Sequence, residues 1–320
     1  MPWTARDIPD QTGRMAVVTG GNGGLGLETV RELARKGAQV VIGARDLDKA
    51  AAAEAEVRGE VPDASLEVLE LDLGSLAQVR AFADEVLAAH DAIDLLFNNA
   101  GVMATPQRTT EDGFEAQFGT NHLGHFELTR LLLPALHRAP AGRVVTTTST
   151  ARFAAGPYDL DDPHHRHRRY DPWEAYGYAK LANLQFTLEL DRRLRAAGSS
   201  VVALAADPGF AYTDLQQRTA RELPGGSQKL AATLVRWVGQ SAAAGALEQL
   251  RAGTDPSAQG GTLYRPRWIA RGAPVVGEIG ARLRKDADLQ KLWSVSEREV
   301  GEDFDVAAIV VASEDRANRA

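Results

Sequence analysis

Short apolar segments alternate with longer helical segments from Met15 to Ala206, and this alternation limits the folds open to the chain more than any other feature. The apolar segments predict strands at residues 15–19, 39–43, 66–71, 93–98, 143–148 and 201–206. The segments between them predict helices at residues 24–36, 47–58, 75–90, 121–137 and 175–197. Strand–helix–strand repeats are typical of a parallel sheet with helices on both faces. The predicted fold class is therefore α/β, with a single doubly wound parallel sheet.

The predicted strands are rich in Val, Leu and Ile and lack a clean alternation of apolar and polar residues. That pattern is typical of strands that are buried on both faces. Ser75 is the expected N-cap of the helix at 75–90, with Gln78 three residues later. Gly37 and Gly198 are expected to end the helices that precede them.

Composition and charge exclude several kinds of site. The chain has 320 residues and no cysteine, so disulfides, thiolate zinc sites, iron–sulfur clusters and cysteine nucleophiles are excluded. A formal net charge of -7 argues against a nucleic-acid partner. No apolar run reaches the roughly 18 residues that a membrane span needs. We therefore expect no membrane anchor and a cytoplasmic location.

A glycine-rich turn at residues 19–26 joins the first predicted strand to the first predicted helix. In this context Gly20 permits a tight turn, Gly24 lets the backbone approach a pyrophosphate, and Gly26 lets helix and strand pack closely. The helix amides and dipole would then face the phosphates, with Asn22 and Leu25 beside them. Taken by itself, a glycine-rich sequence of this kind could instead be a flexible turn.

The end of the second predicted strand indicates which dinucleotide would bind. An acidic residue there would bond the ribose 2′-hydroxyl of NAD(H), but this chain has Ala44 followed by Arg45. A guanidinium suits a 2′-phosphate, so NADP(H) is favoured and NAD(H) is less likely. The alternative for Arg45 is an ordinary surface arginine in an arginine-rich chain.

Polar residues also follow the third and fourth predicted strands. Asp72 and Leu73 close the third strand, where the carboxylate would accept a hydrogen bond from an adenine amino group. Asn99, Ala100 and Gly101 close the fourth. Ligands of open α/β sheets bind at the carboxyl ends of strands, which favours a cofactor-binding role for these residues. Asp72 alone could instead cap a helix.

An acid–base group is indicated by Tyr176 and Lys180, which lie four residues apart on one face of the longest predicted helix. A free phenol has a pKa of about 10, and a nearby ammonium lowers it toward neutrality. Ser149, after the fifth strand, would hydrogen-bond the substrate oxygen, and Asn121 would hold a water that links Lys180 to solvent. Taken singly, each residue has an ordinary structural interpretation; their order and positions favour catalysis.

These motifs together resemble the short-chain dehydrogenase/reductase family, in particular its retinol-dehydrogenase-like branch of bacterial oxidoreductases. The resemblance spans residues 14–215 and implies a Rossmann-type fold with Tyr176 as general acid or base. It also implies that Pro208, Gly209 and Thr213 flank the nicotinamide. Two departures are Ala179, in place of a common serine, and Asp207, in place of a histidine common before Pro-Gly.

Three polar segments fall outside the alternation, and we expect them to belong to one domain over residues 1–320. Residues 150–174 are interpreted as an insertion before Tyr176. Residues 207–240 and 265–320 are interpreted as substrate-side connections and a C-terminal extension, with a frayed tail at 313–320. Aromatic and aliphatic residues in these segments predict an apolar pocket, namely Phe153, Tyr158, Trp173, Phe210, Tyr212, Leu215 and Trp268.

The sequence therefore predicts an NADP(H)-dependent oxidoreductase that acts on a carbonyl or alcohol of an apolar small molecule. The alternative is a non-catalytic NADP-binding sensor module. Histidines at 164, 165 and 167 lie among arginines, which disfavours a metal site. His122 and His125 are interpreted as packing residues. The family commonly pairs through the helices at 121–137 and 175–197, so a homodimer is possible.

Overall fold

A sheet of eight strands forms the centre of the molecule, in the order β3-β2-β1-β4-β5-β6-β7-β8. The computed structural model describes residues 2–156, 159–211 and 239–317. The strands are β1 (Met15–Thr19), β2 (Gln39–Ala44), β3 (Leu66–Glu70), β4 (Leu95–Asn98), β5 (Arg143–Thr147), β6 (Val202–Ala206), β7 (Leu263–Pro266) and β8 (Pro274–Gly277). All neighbouring pairs are parallel except β7 with β8. The predicted parallel doubly wound sheet is confirmed.

Helices cover both faces of this sheet. They are α1 (Gly24–Arg35), α2 (Leu47–Glu60), α3 (Leu76–Ala89), α4 (Gly124–Arg138), α5 (Pro172–Ala196), α6 (Ala242–Thr254), α7 (Asp286–Val300) and α8 (Val306–Ala317). The predicted strands and helices are present, with ends shifted by a few residues. Gly37 and Gly198 follow α1 and α5 with φ of 87° and 71°, in the left-handed region that suits a helix stop.

Successive residues of β1 enter two different cores. Met15 and Val17 pack in the core beneath α3, α4 and α5, whereas Ala16 and Val18 pack in the core beneath α1, α2 and α6. Every residue of the strand is buried. A strand with two buried faces has no polar side, which explains the absence of alternation in its sequence.

The structure corrects the interpretation of residues 265–320 as connections. Helices α7 and α8 lie within this segment and pack on α4 and α5. Trp293 of α7 contacts Phe126, Phe186 and Phe304 with ring centroids 4.8–5.9 Å apart. The tail is also helical as far as Ala317, so it is not frayed over its described part.

Two local expectations are also corrected. Ser75 occupies the N-cap position of α3, but its hydroxyl makes no capping bond. The Asp112 carboxylate accepts from the Leu76 N–H instead, at 2.9 Å. Asn121 does not open a regular helix: it lies in a π-helical stretch, Gly119–Leu123, that leads into α4. Within the described residues, none of the helices combines the length and apolar composition of a membrane span.

Candidate active site

The glycine-rich turn brings β1, α1 and β4 into close contact. Gly20 has φ of 68°, and a Cβ there would lie 3.0 Å from the Ala100 Cβ. A Cβ on Gly26 would lie 2.2 Å from the Gly20 carbonyl oxygen and 2.6 Å from Asn99 Nδ2. A side chain does not fit at Gly26, and at Gly20 it would be strained by the left-handed backbone and would crowd Ala100.

A cleft of about 330 Å³ opens beside this turn, at the carboxyl ends of β1 to β4. Its lining includes the predicted residues Gly20, Asn22, Gly24, Leu25, Gly26, Arg45, Asp72, Leu73, Asn99, Ala100 and Gly101. Sequence reasoning did not assign to the cofactor the further lining residues Gly23, Gly43, Ala44, Asp46, Lys49, Leu71, Val102 and Thr120. The cleft, the glycine backbone and the N-terminus of α1 together form a cradle that fits a dinucleotide.

Two cationic side chains and two carboxylates lie at the outer side of this cleft, namely Arg45, Lys49, Asp46 and Asp72. The Arg45 side chain is 64% exposed, and its Nη1 lies 3.4 Å from Asp72 Oδ2. Asp72 Oδ1 accepts from the Gly74 N–H at 2.8 Å. Lys49 lies four residues after Arg45, in the first turn of α2, where its N–H donates to the Asp46 carboxylate. The spacing of four residues between Arg45 and Lys49 is the sequence signal from which Lys49 could have been predicted as a second cation.

Hydrogen bonds hold the end of β4 in place. Asn99 Nδ2 donates to the Thr19 carbonyl oxygen at 2.8 Å, and its N–H donates to Thr19 Oγ1 at 2.9 Å. Gln249 of α6 donates to Asn99 Oδ1 at 3.2 Å and accepts from Thr147 Oγ1 at 3.0 Å. Gln249 is buried, and no sequence motif marked it.

Asn121 holds the segment after β4 through its side-chain amide. Its Oδ1 accepts from the Val102 N–H at 2.7 Å, and its Nδ2 donates to the Val102 carbonyl at 2.9 Å. The Asn121 carbonyl oxygen lies 2.9 Å from His125 Nδ1, and His125 Nε2 lies 2.9 Å from Thr19 Oγ1. Burial lowers the pKa of His125 to about 4, in keeping with its interpretation as a packing residue.

Tyr176 and Lys180 lie on the buried side of α5, near the end of β5. The Ser149 hydroxyl hydrogen-bonds the Tyr176 phenol. Lys180 Nζ donates to the Thr147 carbonyl at 3.1 Å and lies 5.8 Å from the centroid of the Tyr176 ring. A Cβ added to Gly101 would lie 2.8 Å from Asn121 Oδ1 and 3.6 Å from Lys180 Nζ. The structure thus groups the four predicted catalytic residues, with Asn121 and Lys180 next to Gly101, which lines the cleft.

Burial governs the protonation of this group. It raises the pKa of Tyr176 above the ordinary value of a phenol, the hydrogen bond from Ser149 opposes this, and Asp207 adds to it. Burial lowers the pKa of Lys180 to about 8, against a smaller upward effect of Asp207. The phenol is therefore protonated in the resting protein, and the lysine can change its charge near pH 8.

The end of β6 approaches the same group. Asp207 is buried and pairs with Arg152 of the short helical turn Thr150–Ala154. Pro208 and Gly209 follow directly, and Gly209 has φ of 60°. Thr213 lies outside the described residues, as do Tyr158, Tyr212 and Leu215. Sequence reasoning did not single out Arg152, because nothing in the local pattern links it to a residue so distant in the chain.

Comparison with known proteins yields both relatives and solved structures. Residues 14–159 match the family described as short chain dehydrogenase. Human retinol dehydrogenase 13 is 44% identical over 207 residues, which cover 65% of this chain and 62% of that protein. Polyprenol dehydrogenase of Mus musculus is 43% identical over 227 residues, covering 68% of each. A short-chain dehydrogenase/reductase of Armillaria gallica is 38% identical over 262 residues, covering 80% of this chain and 81% of that protein.

Sequence and structure matches differ in how much of a relative they cover. The match to human retinol dehydrogenase 13 spans less than two thirds of that protein. In contrast, the crystal structure of an uncharacterized protein from Mycobacterium paratuberculosis covers 95% of this chain and 99% of its own, with a TM-score of 0.77 and 41% identity. A short chain dehydrogenase from Shigella flexneri complexed with NADP has a TM-score of 0.61 at 21% identity, which is a likeness of fold alone.

Proposed function

Because this chain belongs to the short-chain dehydrogenase family, we propose that it is an NADP(H)-dependent oxidoreductase of lipophilic carbonyls or alcohols. The observation that carries the proposal is the position of Gly101. Gly101 lines the dinucleotide cleft, and a side chain there would contact Asn121 and Lys180 of the acid–base group. The cofactor cleft and the acid–base group are therefore in contact at Gly101.

Arg45 and Lys49 support NADP(H) over NAD(H) as the cofactor. Both line the outer side of the cleft, and the end of β2 carries no carboxylate to pair with a ribose 2′-hydroxyl. Two cations there would neutralise a 2′-phosphate. When bound, the nicotinamide supplies or accepts the hydride, and the residues of the chain supply position and electrostatics.

The proton steps are assigned to Tyr176 with Ser149, Lys180 and Asn121 around it. In reduction, the Tyr176 hydroxyl would donate its proton to the substrate oxygen while Ser149 holds that oxygen by a hydrogen bond. In oxidation, the phenolate would accept the proton. A charged Lys180 would stabilise the phenolate and so lower the pKa of Tyr176, and Asn121 would hold a water that connects Lys180 to solvent.

The proposal of a lipophilic substrate is supported by aromatic side chains exposed near the acid–base end. Phe153 is 72% exposed, and Trp268 is 69% exposed. The ring centroids of Trp173 and Tyr176 are 6.2 Å apart. The Phe210 N–H donates to the carbonyl of Ala270, which lies beside Trp268. Exposed aromatic groups grouped near reacting residues are typical of a surface that binds an apolar ligand. Two relatives are named as dehydrogenases of retinol and polyprenol, which are lipophilic alcohols.

Tyr176→Phe tests the function directly. We expect turnover of NADPH with a panel of ketones, aldehydes and quinones to fall by about 10²–10⁴-fold, because the proton donor is lost. NADPH affinity, measured by fluorescence titration, should stay the same. Tyr178→Phe is the matched control, since Tyr178 is also buried on α5 but its hydroxyl donates to the Asp159 carbonyl.

Full turnover by Tyr176→Phe would contradict the assignment. A protein that binds NADPH but reduces no compound of the panel would favour the sensor module. The possible homodimer and the cytoplasmic location stay predictions. The outer faces of α4 and α5 carry α7 and α8 of the same chain, so pairing would need another surface or a rearrangement of these helices.

A further inference from the structure

A buried ion pair lies beside the acid–base group. Arg152 Nη1 lies 2.5 Å from Asp207 Oδ2, and the two side chains are 4% and 1% exposed. The Arg152 guanidinium also stacks on the Phe153 ring, 4.6 Å from its centroid. Each charge is therefore shielded from water and depends on the other for compensation.

The pair joins the two strand ends that carry the reacting region. The Arg152 N–H donates to the Ser149 carbonyl at 3.0 Å, in the turn that also orients the Ser149 hydroxyl toward the Ala151 N–H. On the other side, Asp207 Oδ1 accepts from the Gly209 N–H at 3.0 Å. One ion pair thus fixes the Ser149 turn against the end of β6.

The charges of the pair act on the neighbouring titratable groups. The Asp207 carboxylate raises the pKa of both Tyr176 and Lys180. Glu248 of α6 also faces Asp207, and burial raises its pKa to about 9, so it is neutral near pH 7. Neither carboxyl oxygen of Glu248 has a hydrogen-bond partner at normal distance among the described residues. Arg152 is the cation in direct contact with Asp207, and Lys180 is a second cation on which Asp207 acts.

We propose that Arg152 and Asp207 are positioning residues whose buried ion pair sets the pH at which Tyr176 exchanges its proton. The proposal rests on the proposed function, in which Tyr176 is the acid–base group. The pair holds Ser149 beside the phenol, and the Arg152 charge offsets the Asp207 charge next to Tyr176. Charge at this place acts strongly, because little water is present to screen it.

Removing the Arg152 charge and removing the Asp207 charge are expected to shift the pKa of Tyr176 in opposite directions. Without the Arg152 charge, the Asp207 carboxylate repels the developing phenolate and raises the pKa of Tyr176. Without the Asp207 charge, the Arg152 guanidinium attracts the phenolate and lowers that pKa. A purely structural role predicts instead that both changes reduce turnover without moving the pH profile in opposite directions.

The experiment measures the pH dependence of alcohol oxidation by Arg152→Gln, Asp207→Asn and the double variant, each as the full chain. We expect the midpoint of the Tyr176 limb to move up by about one pH unit in Arg152→Gln and down by about one in Asp207→Asn. The double variant should return toward the wild-type midpoint. Shifts in the same direction, or none in either variant, would overturn the proposal.

Two variants separate charge from fold. Arg152→Lys keeps the cation and should keep the wild-type midpoint, so a shift equal to that of Arg152→Gln would contradict the proposal. Arg143→Gln is the matched control: Arg143 lies at the opposite end of β5 and donates to the Ala252 and Asp255 carbonyls. It should leave the midpoint unchanged.

A second readout needs no substrate. The ultraviolet absorbance of tyrosinate, taken as the difference between each variant and the same variant carrying Tyr176→Phe, follows the Tyr176 phenol directly. The same opposite shifts are expected there. If the wild type neither reduces a carbonyl nor oxidises an alcohol, the proposed function fails, whereas unchanged tyrosinate midpoints would refute the role of the ion pair by themselves.

Discussion

The nucleotide end of the cleft and its acid–base end are built in different ways. The nucleotide end, residues 20–26 with 45 and 72, is formed by backbone from neighbouring strands and has its charges at the surface. The acid–base end, around Tyr176, Lys180 and Asp207, consists of side chains that are almost fully buried. The properties of the nucleotide end therefore depend mainly on the shape of its backbone, and those of the acid–base end depend mainly on its buried charges.

This difference decides what a substitution does in each region. At the nucleotide end, an added methyl group collides with backbone that cannot move aside. At the acid–base end, changing one charge alters the protonation of its neighbours, because burial strengthens every charge interaction. Three changes test this contrast, from the largest expected effect to the smallest.

Gly26→Ala should destabilise the protein by about 3 kcal/mol and abolish measurable NADPH binding. The added Cβ would lie 2.2 Å from the Gly20 carbonyl oxygen, so the turn must deform. Urea denaturation and NADPH titration measure the two effects. Gly59→Ala is the control: it lies in α2 with no atom within 4 Å of the added Cβ, and should stabilise by about 0.5–1 kcal/mol. Equal effects of both changes would contradict a steric role for Gly26.

Lys180→Met should increase the free energy of unfolding at pH 7 by about 2 kcal/mol while it removes turnover. Burial lowers the pKa of Lys180 to about 8 from its ordinary 10.5. Below pH 8 the lysine is charged in both the folded and the unfolded state, and the folded state bears the full desolvation cost of about 3 kcal/mol. The variant avoids this cost but loses the hydrogen bond to the Thr147 carbonyl, so the net gain in stability is smaller.

The gain should diminish as the pH rises from about 8 to 10.5, where the folded protein holds a neutral lysine and the unfolded chain loses its proton. Denaturation of wild type and variant across this range, without cofactor, measures the trend. A gain that is independent of pH would show that packing, and not the buried charge, is responsible.

Arg45→Ala should weaken NADPH binding by about tenfold, or about 1.4 kcal/mol, and leave NADH binding nearly unchanged. The effect is modest because the side chain is 64% exposed and water screens its charge. Lys49→Ala should have a smaller effect of the same sign. Arg35→Ala, which removes an exposed arginine paired with Glu32 and Glu60 outside the cleft, should alter neither affinity. Equal loss for both cofactors in Arg45→Ala would remove the 2′-phosphate role.

The sequence predicted the first six strands because each is a compact apolar run between helices. It did not predict β7 and β8, since Pro266 ends one strand and Pro274 begins the other, and proline is typical of loops. Pairing of β7 with β6 makes it a strand. Likewise, α7 has many polar residues, and its packing through Trp293 against α4 and α5 holds it in place.

The residues of the candidate site can likewise be separated into those that the sequence could predict and those that it could not. Glycines at 20, 24 and 26 and the pair Tyr176 and Lys180 could be predicted, because their spacing within one turn or one helix carries the signal. Gln249 and Arg152 could not, because each meets its partners only after distant segments pack together.

By itself, the sequence determined the parallel sheet, the position of the dinucleotide turn and the order of the acid–base residues. These depend on local spacing and on apolar runs, which act over one or two elements of the chain. Only the tertiary structure decided the charge around Tyr176. Asp207 reaches Arg152 across 55 residues of chain, and burial determines how strongly that pair acts on the phenol.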